Sequence, residues 1–236
     1  MVFFARLLTP DELAGCAVVV EQKGDDPVEC RERVLAGRAL WEQLVPYAPS
    51  CQLAVVGGAG GDVPEAMIRE WCAGSPADPV VRNESRNTHD KACSIEEFTR
   101  ETGVTTVIQV SSLYHSLRAY LTTVKVLRDA GSPVTVLNHV CDSDDPSAVV
   151  FTLLDEIYLA TGIEPELRFA LEDDHYRLLT QAARSMTETA GHRTYLGRRY
   201  GEARRIAAYA EPGKGHLATD LTVKEILDSY PLTSRM

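Results

Sequence analysis

The chain has 236 residues, of which 44% are hydrophobic and 25% are charged. These proportions are ordinary for a globular protein, and they exclude a disordered or fibrous chain. The net charge of −10 disfavours non-specific attraction to nucleic acid or to an anionic membrane surface, so we expect neither as a partner.

The sequence gives no sign of a membrane segment or of export. No run approaches the roughly 20 apolar residues that a membrane-spanning helix needs. Residues 1–8 are too short for a signal peptide, and their one charge, Arg6, follows the apolar run instead of preceding it. The six cysteines form no Cys-x-x-Cys pair, so we predict neither a disulfide framework nor a metal site. A cytoplasmic location is predicted.

Short β-branched runs alternate with segments of helical periodicity over the first two-thirds of the chain. This alternation is typical of βα units on a mostly parallel sheet, and it predicts the α/β fold class. The predicted strands are 16–20, 52–56, 79–82, 105–110 and 133–137. The predicted helices between them are 28–44, 64–72, 89–102 and 113–129.

A second region begins near Asp142, where Ser143-Asp144-Asp145-Pro146 supplies a helix cap and a proline suited to the first turn. Its predicted helices are 147–161, 172–189, 197–209 and 223–229. Nothing near residue 142 resembles a flexible linker. We therefore expect a sheet domain, 1–141, with a helical extension, 142–236, packed on it.

Three unusually polar segments each begin where a predicted strand ends. They are 57–61 (Gly-Gly-Ala-Gly-Gly), 84–88 (Glu-Ser-Arg-Asn-Thr) and 111–115 (Ser-Ser-Leu-Tyr-His). The carboxyl ends of parallel strands share one edge of the sheet, and ligands bind in the crevice there. The coincidence predicts a small-molecule site at that edge, with Ser111 among its ligand-binding residues.

The glycine segment has two interpretations. Gly57 and Gly58 let backbone N–H groups approach an anion closely, and a helix N-terminus follows. The alternative is a plain flexible turn. Glu65 is likewise either a ligand contact or, with Asp62, part of a capping box. The glycine spacing matches neither a P-loop nor a dinucleotide fingerprint.

The segment 84–88 is denser in polar groups than a turn requires. Its carboxylate, hydroxyls and amide favour ligand binding by Glu84, Ser85, Asn87 and Thr88. The alternative for Asn87 or Thr88 is to cap the helix that follows.

His115 and Arg118 lie three residues apart on a predicted helix, and so on one face. A histidine there can move protons near neutral pH, and an arginine beside it can hold a phosphate or carboxylate. The alternative is that Arg118 pairs with a nearby acid and His115 is hydrogen-bonded inside an interface.

These segments together resemble the YdcF-like family, which includes the SanA and ElyC proteins. Gly57-Gly58 with Glu65-Ala66 is similar to its Gly-Gly and Glu-Ala elements. The run 84–88 with Ala92 resembles its Glu-x-Ser-x-Asn-Thr-x-x-Asn-Ala segment, and 111–115 with Arg118-Ala119 resembles its Thr-Ser-x-Tyr-His-x-x-Arg-Ala segment.

The resemblance implies a Rossmann-like fold with helices on both faces of the sheet. It also implies S-adenosylmethionine as a candidate ligand or cofactor, because one member is reported to bind it. Other members carry a membrane anchor and influence the cell envelope. The chain departs from the family at Glu21-Gln22-Lys23-Gly24, where a Gly-rich turn is usual, and at Asp90 or Lys91, where a second Asn is usual.

The leading hypothesis is a protein that binds a small anionic metabolite, nucleotide-like or S-adenosylmethionine-like. Gly57-Gly58 and Arg118 would hold the negative group, and Glu84 with His115 would exchange protons if the protein is an enzyme. A carboxylate–histidine pair of this kind occurs in transferases and in hydrolases, so it does not distinguish the two classes. One alternative is a phosphate-ester hydrolase or phosphotransferase with His115 as nucleophile or acid. Another is a non-catalytic protein whose late helices dock a partner.

Overall fold

A computed structural model describes residues 8–23, 26–58 and 63–141, together with 205–206, 209, 215–221, 225–226 and 229. The predicted helices 147–161 and 172–189 lie outside the described residues, as do most of 197–209 and 223–229. None of the described helices is both long and apolar enough to cross a bilayer.

Five strands form one sheet in which every neighbouring pair is parallel. The strands are β1 (Cys16–Glu21), β2 (Gln52–Gly58), β3 (Val80–Ser85), β4 (Thr106–Ser111) and β5 (Thr135–Val140). Their order across the sheet is β3-β2-β1-β4-β5. All five predicted strands are present, and β3 and β5 each extend three residues beyond the predicted end.

Five helices lie around the sheet within residues 8–141: α1 (Pro10–Ala14), α2 (Pro27–Leu44), α3 (Glu65–Cys72), α4 (Thr88–Thr102) and α5 (Leu113–Asp129). The short α1 was not predicted. It begins with a capping box, in which the Thr9 hydroxyl and the Glu12 carboxylate each accept from the other residue's backbone N–H.

Alternate residues of β1 pack against different helices, so the sheet is covered on both faces. Val18 and Val20 share a buried cluster with residues of α2 and α3. Ala17 and Val19 share another with Ile95 and Phe98 of α4. This confirms the predicted α/β, Rossmann-like arrangement. Glu21 follows Val19 at the two-residue period of a strand and therefore lies on the α4 face.

The described residues beyond 200 pack on α5 and β5. Ile206, Leu217, Leu221 and Ile226 are buried in one cluster with apolar side chains of α5. The Ala218 N–H donates to the Leu121 carbonyl at 3.1 Å, and the Asn138 N–H donates to the Ser229 carbonyl at 2.7 Å. The division at residue 142 stays a prediction, because most of the extension lies outside the described residues.

Candidate functional site

The strand order reverses direction between β1 and β4. From β1 the chain crosses to β2 on one side, and from β4 it crosses to β5 on the other. The connecting helices α2 and α5 therefore leave on opposite faces, which opens a crevice outside the carboxyl ends of these two strands. We call this place the switch-point crevice. Glu21 and Ser111 are the last residues of its two strands.

Glu21 is the central acid of the crevice. It is fully buried, and its Oε2 lies 3.0 Å from His115 Nε2, while Oε1 accepts a hydrogen bond from Gln109 Nε2. Burial raises the pKa of this carboxyl, but the His115 hydrogen bond and the charges of Lys91, His115 and Arg33 outweigh burial and hold the pKa at about 2. Glu21 is therefore ionised throughout the neutral range.

His115 is held between Glu21 and Arg118. Arg118 Nη2 lies 3.1 Å from His115 Nδ1, and Arg118 Nη1 donates to the Thr88 hydroxyl. A guanidinium only donates, so Nδ1 must be the accepting nitrogen and Nε2 must carry the hydrogen given to Glu21. These contacts assign the Nε2–H tautomer to His115, which is 5% exposed. The predicted alternative, a histidine hydrogen-bonded inside an interface, matches this geometry.

Lys91 enters the same crevice from the first turn of α4. Its Nζ donates to the Gln22 carbonyl and lies 3.9 Å from Glu21 Oε2. Burial lowers the pKa of Lys91 to about 8, with Arg33, Arg118 and Lys23 acting in the same direction and Glu21 opposing them. An appreciable fraction of Lys91 is therefore an uncharged amine at neutral to slightly alkaline pH.

The glycines that end β2 pack directly on Gln22. Gly57 has φ +132° and Gly58 has φ +80°. A Cβ on Gly58 would lie 2.7 Å from Gln22 Oε1, and one on Gly57 would lie 2.9 Å from Gln22 Cβ. Close packing thus explains both glycines without a ligand. Gln22 Nε2 donates to Asn83 Oδ1 at 2.7 Å, whereas the buried Gln22 Oε1 has no hydrogen-bond partner among the described residues.

A second network of buried hydrogen bonds lies on the other side of the crevice. Glu29 Oε1 accepts from Arg33 Nη2, Ser112 Oγ and Tyr114 Oη, each at 2.6 Å. Arg33 Nη1 also donates to the Glu21 carbonyl at 3.0 Å. This network ties the start of α5 to α2 and to the end of β1. It therefore fixes the strand ends from which Glu21 and His115 project.

The side chains of the predicted segment 84–88 have different roles, some in stabilising the fold and one in the crevice. Asn87 caps α4, since its Oδ1 accepts from the Asp90 N–H at 2.9 Å, and Ser85 Oγ lies 2.9 Å from Ser94 Oγ. Thr88 is the member that reaches the crevice, through Arg118. Glu84 is exposed and makes no hydrogen bond or ion pair with a described residue. The structure therefore places Glu21, not Glu84, beside His115.

Glu65 and Ser111 are the remaining predicted residues. Glu65 is the first residue of α3 and pairs with Arg69 at 2.8 Å on the surface. Its proposed capping partner Asp62 lies outside the described residues. Ser111 is buried at the end of β4, and its carbonyl accepts from the Cys141 N–H at 3.0 Å.

Sequence reasoning missed Glu21, Gln22, Lys91 and Gln109 as residues of the site. The available signal was the polar pair Glu21-Gln22 directly after an apolar strand, at the same kind of position as the three segments that were singled out. Lys91 carried no comparable signal, because a lysine in the first turn of a helix is usually solvated.

Residues beyond 200 also reach the crevice. The Tyr209 ring lies 5.4 Å from Arg118 Cζ, and the rings of His216 and His89 are 4.9 Å apart. Among the described residues, no three His, Cys, Asp or Glu side chains are placed to hold a metal ion.

The fold and site define an α/β protein with a charged crevice at the topological switch point of its sheet. No family model, curated protein or solved structure matches this chain. The resemblance to the YdcF-like family therefore stays a prediction.

Proposed function

We propose that this protein binds a small anionic metabolite, nucleotide-like or S-adenosylmethionine-like, in the switch-point crevice. The observation that carries the proposal is the convergence of Glu21, Lys91, His115 and Arg118 at the carboxyl ends of β1 and β4. These side chains come from one strand and two helices. Open α/β sheets bind their ligands at this place.

The charges in the crevice favour an anion. Lys91 and Arg118 bring two cationic groups to the crevice, and Lys91 Nζ lies 3.9 Å from Glu21 Oε2. A phosphate or carboxylate bound at this edge would accept charge-assisted hydrogen bonds from such groups.

The buried Gln22 Oε1, which accepts no hydrogen bond from a described residue, indicates a second feature of the ligand. Buried polar atoms are nearly always hydrogen-bonded, and Gln22 Oε1 is an exception in the described part of the chain. A hydroxyl or amino group of the ligand would supply the missing donor. Nucleosides and S-adenosylmethionine carry both kinds of group, and nucleotides and S-adenosylmethionine add an anionic group.

The geometry favours binding over hydrolysis by a histidine nucleophile. A nucleophilic His115 needs a free ring nitrogen, whereas Nε2 faces Glu21 and Nδ1 faces Arg118. If group transfer occurs, Glu21 takes the role predicted for Glu84 as the carboxylate partner of His115. Phosphate-ester hydrolysis and a purely partner-docking role stay predictions.

Calorimetric titration with S-adenosylmethionine, adenine nucleotides and a panel of phosphate esters tests the proposal. We expect one of these classes to release binding heat with the unmodified protein. Arg118→Ala should weaken that binding at least about tenfold, because it removes a charge-assisted hydrogen bond worth ~1.5–3 kcal/mol.

Arg100→Ala is the matched control, since its side chain is 65% exposed and lies in the last turn of α4. It should bind like the unmodified protein. Thermal melts of both variants establish that they are folded. Absence of heat from every compound, or equal affinity of folded Arg118→Ala, contradicts the proposal.

A further inference from the structure

Cys16 and Cys51 lie side by side at the amino-terminal ends of two neighbouring strands. Cys16 is the first residue of β1, and Cys51 directly precedes β2. The parallel register of the two strands pairs Ala17 with Gln52. One residue earlier along both strands, Cys16 therefore stands opposite Cys51. The two cysteines are far apart in sequence, so their spacing gave no sign of this pair.

The side chains of this pair lie on the same face of the sheet. The buried cluster beneath α2 and α3 contains both cysteines together with Val18 and Leu53, which follow them at the two-residue period of a strand. Ala17, by contrast, belongs to the cluster on the α4 face. Neighbouring strands lie about 4.8 Å apart, within the Cα separation of about 4.4–6.8 Å that disulfides span. The backbone at this position therefore has the spacing that a disulfide requires.

The two thiols are free and in contact inside the protein. Cys16 is 1% exposed and Cys51 is 5% exposed. The hydrogen bond between the thiols lowers the pKa of Cys16, because it stabilises the thiolate, and it raises the pKa of Cys51. The backbone of Cys51 is held at both ends, since its carbonyl accepts from Trp41 Nε1 at 2.8 Å and its N–H donates to the Ala48 carbonyl at 2.9 Å. The fold therefore keeps one sulfur against the other.

We propose that Cys16 and Cys51 are a site of reversible oxidation, at which a peroxide closes the two thiols into a disulfide. The new bond joins the amino-terminal ends of β1 and β2, at the opposite edge of the sheet from the switch-point crevice. The inference is independent of the proposed function, because it uses no residue of the crevice.

The oxidant is hydrogen peroxide, and the two thiols together supply two electrons. The Cys16 thiolate sulfur attacks one peroxide oxygen, which breaks the O–O bond and leaves Cys16 as a sulfenic acid. The departing oxygen takes the proton that Cys16 released and leaves as water. The Cys51 sulfur then attacks the Cys16 sulfur. The S–S bond forms as the S–O bond breaks, and the hydroxyl leaves with the Cys51 proton as a second water.

Peptide mapping after peroxide treatment tests the inference. The full chain is exposed to hydrogen peroxide, its remaining thiols are alkylated with N-ethylmaleimide, and it is digested without reduction. Cleavage after lysine and arginine places each of the six cysteines in a different peptide, so every bridge is identified by its mass. We expect the bridge between Cys16 and Cys51 to be at least about tenfold more abundant than any other, because the register already supplies its geometry. Dithiothreitol should restore both thiols.

Two variants separate the steps of the reaction. Cys51→Ala removes the second sulfur, so Cys16 should stop at the sulfenic acid, which dimedone labels. Cys93→Ala is the matched control, because Cys93 lies on α4 with its sulfur 3.7 Å from His89 Nδ1. It should form the bridge as the unmodified protein does. Mapping on the unmodified protein decides the matter even if Cys51→Ala fails to fold.

Three results would overturn the inference. The first is full alkylation of both Cys16 and Cys51 after the peroxide treatment. The second is a predominant bridge between two other cysteines. The third is a bridge that forms only between two chains, which the mass of the undigested protein under non-reducing conditions reveals.

Discussion

Glu21 and His115 define each other's chemical state. The carboxylate accepts the Nε2–H of the imidazole, and Arg118 fixes the opposite nitrogen as an acceptor. A single tautomer of the imidazole follows from the contacts of three side chains. This preorganisation suits a binding site, because few of the polar groups must rotate when a ligand arrives.

Gly58 is the last residue of β2 and packs against the Gln22 side chain. We expect Gly58→Ala to lower the free energy of unfolding by about 1–3 kcal/mol, because it combines a positive φ with a contact that the end of the Gln22 side chain must move to relieve. The new Cβ would lie 2.7 Å from Gln22 Oε1. Urea denaturation of the variant measures the loss.

The variant Gly74→Ala separates the cost of backbone strain from the cost of the contact with Gln22. Gly74 has φ +84°, but no described atom lies within 4 Å of the position that an added Cβ would take. This variant should therefore lose only about 1 kcal/mol from backbone strain. Equal losses at both glycines would show that the contact with Gln22 adds nothing to the cost of a side chain at Gly58.

At the scale of elements, periodicity was sufficient to locate the sheet and its helices. The β-branched runs and the apolar faces of α2 to α5 are local patterns, and local patterns are what a single sequence displays. The five-residue α1 was missed because one turn is too short to show a period, although Thr9, Pro10 and Glu12 form a recognisable start.

The pairing inside the site was not predictable in the same way. Glu21 meets His115 only because β1 and β4 are neighbours, although 94 residues separate the two side chains in sequence. Strand order is a property of the whole sheet, and the hydrophobic periodicity of a single segment carries no information about it. Glu84 ends up on the edge strand β3, two strands from β1, or about 10 Å away at the usual strand spacing. The position of a polar residue at a strand end was therefore predictable, but its partner was not.

Variants of Asn87 test whether its side chain caps α4, contacts a ligand, or does both. Its Oδ1 accepts from the Asp90 N–H at 2.9 Å, which satisfies one of the free donors at the start of the helix. Asn87→Ala should therefore reduce the free energy of unfolding by about 1 kcal/mol. Asn87→Asp should retain most of the stability, since aspartate caps helices equally well.

Chemical denaturation of the three proteins measures the effect, and ligand titration of the same samples shows whether Asn87 also contacts the ligand. Unchanged stability of Asn87→Ala would contradict a capping role.

At the scale of the whole molecule, the crevice links stability to pH in two windows. The carboxyl of Glu21 has its pKa lowered from 4.5 to about 2 on folding. The unfolded chain therefore binds the proton first, and the stabilisation present above pH 4.5 is lost as the pH falls toward 2. Lys91 has its pKa lowered from 10.5 to about 8. Between these values the unfolded chain holds a proton that the folded chain has released, so stability rises with pH.

The alkaline window is best measured as a difference between variants, because the six free cysteines also titrate there and burial raises the pKa of Cys30, Cys72 and Cys93, which opposes the effect of Lys91. We expect Lys91 to contribute a rise of up to about 2 kcal/mol in the free energy of unfolding between about pH 8 and 9.5, at ~1.36 kcal/mol for each pKa unit. Urea denaturation at several pH values in this range measures the rise, and Lys91→Met should remove most of it. Lys125→Met, which changes a lysine on the surface of α5, should keep the rise. A profile in Lys91→Met that parallels the unmodified protein would show that the Lys91 amine keeps its ordinary pKa in the fold.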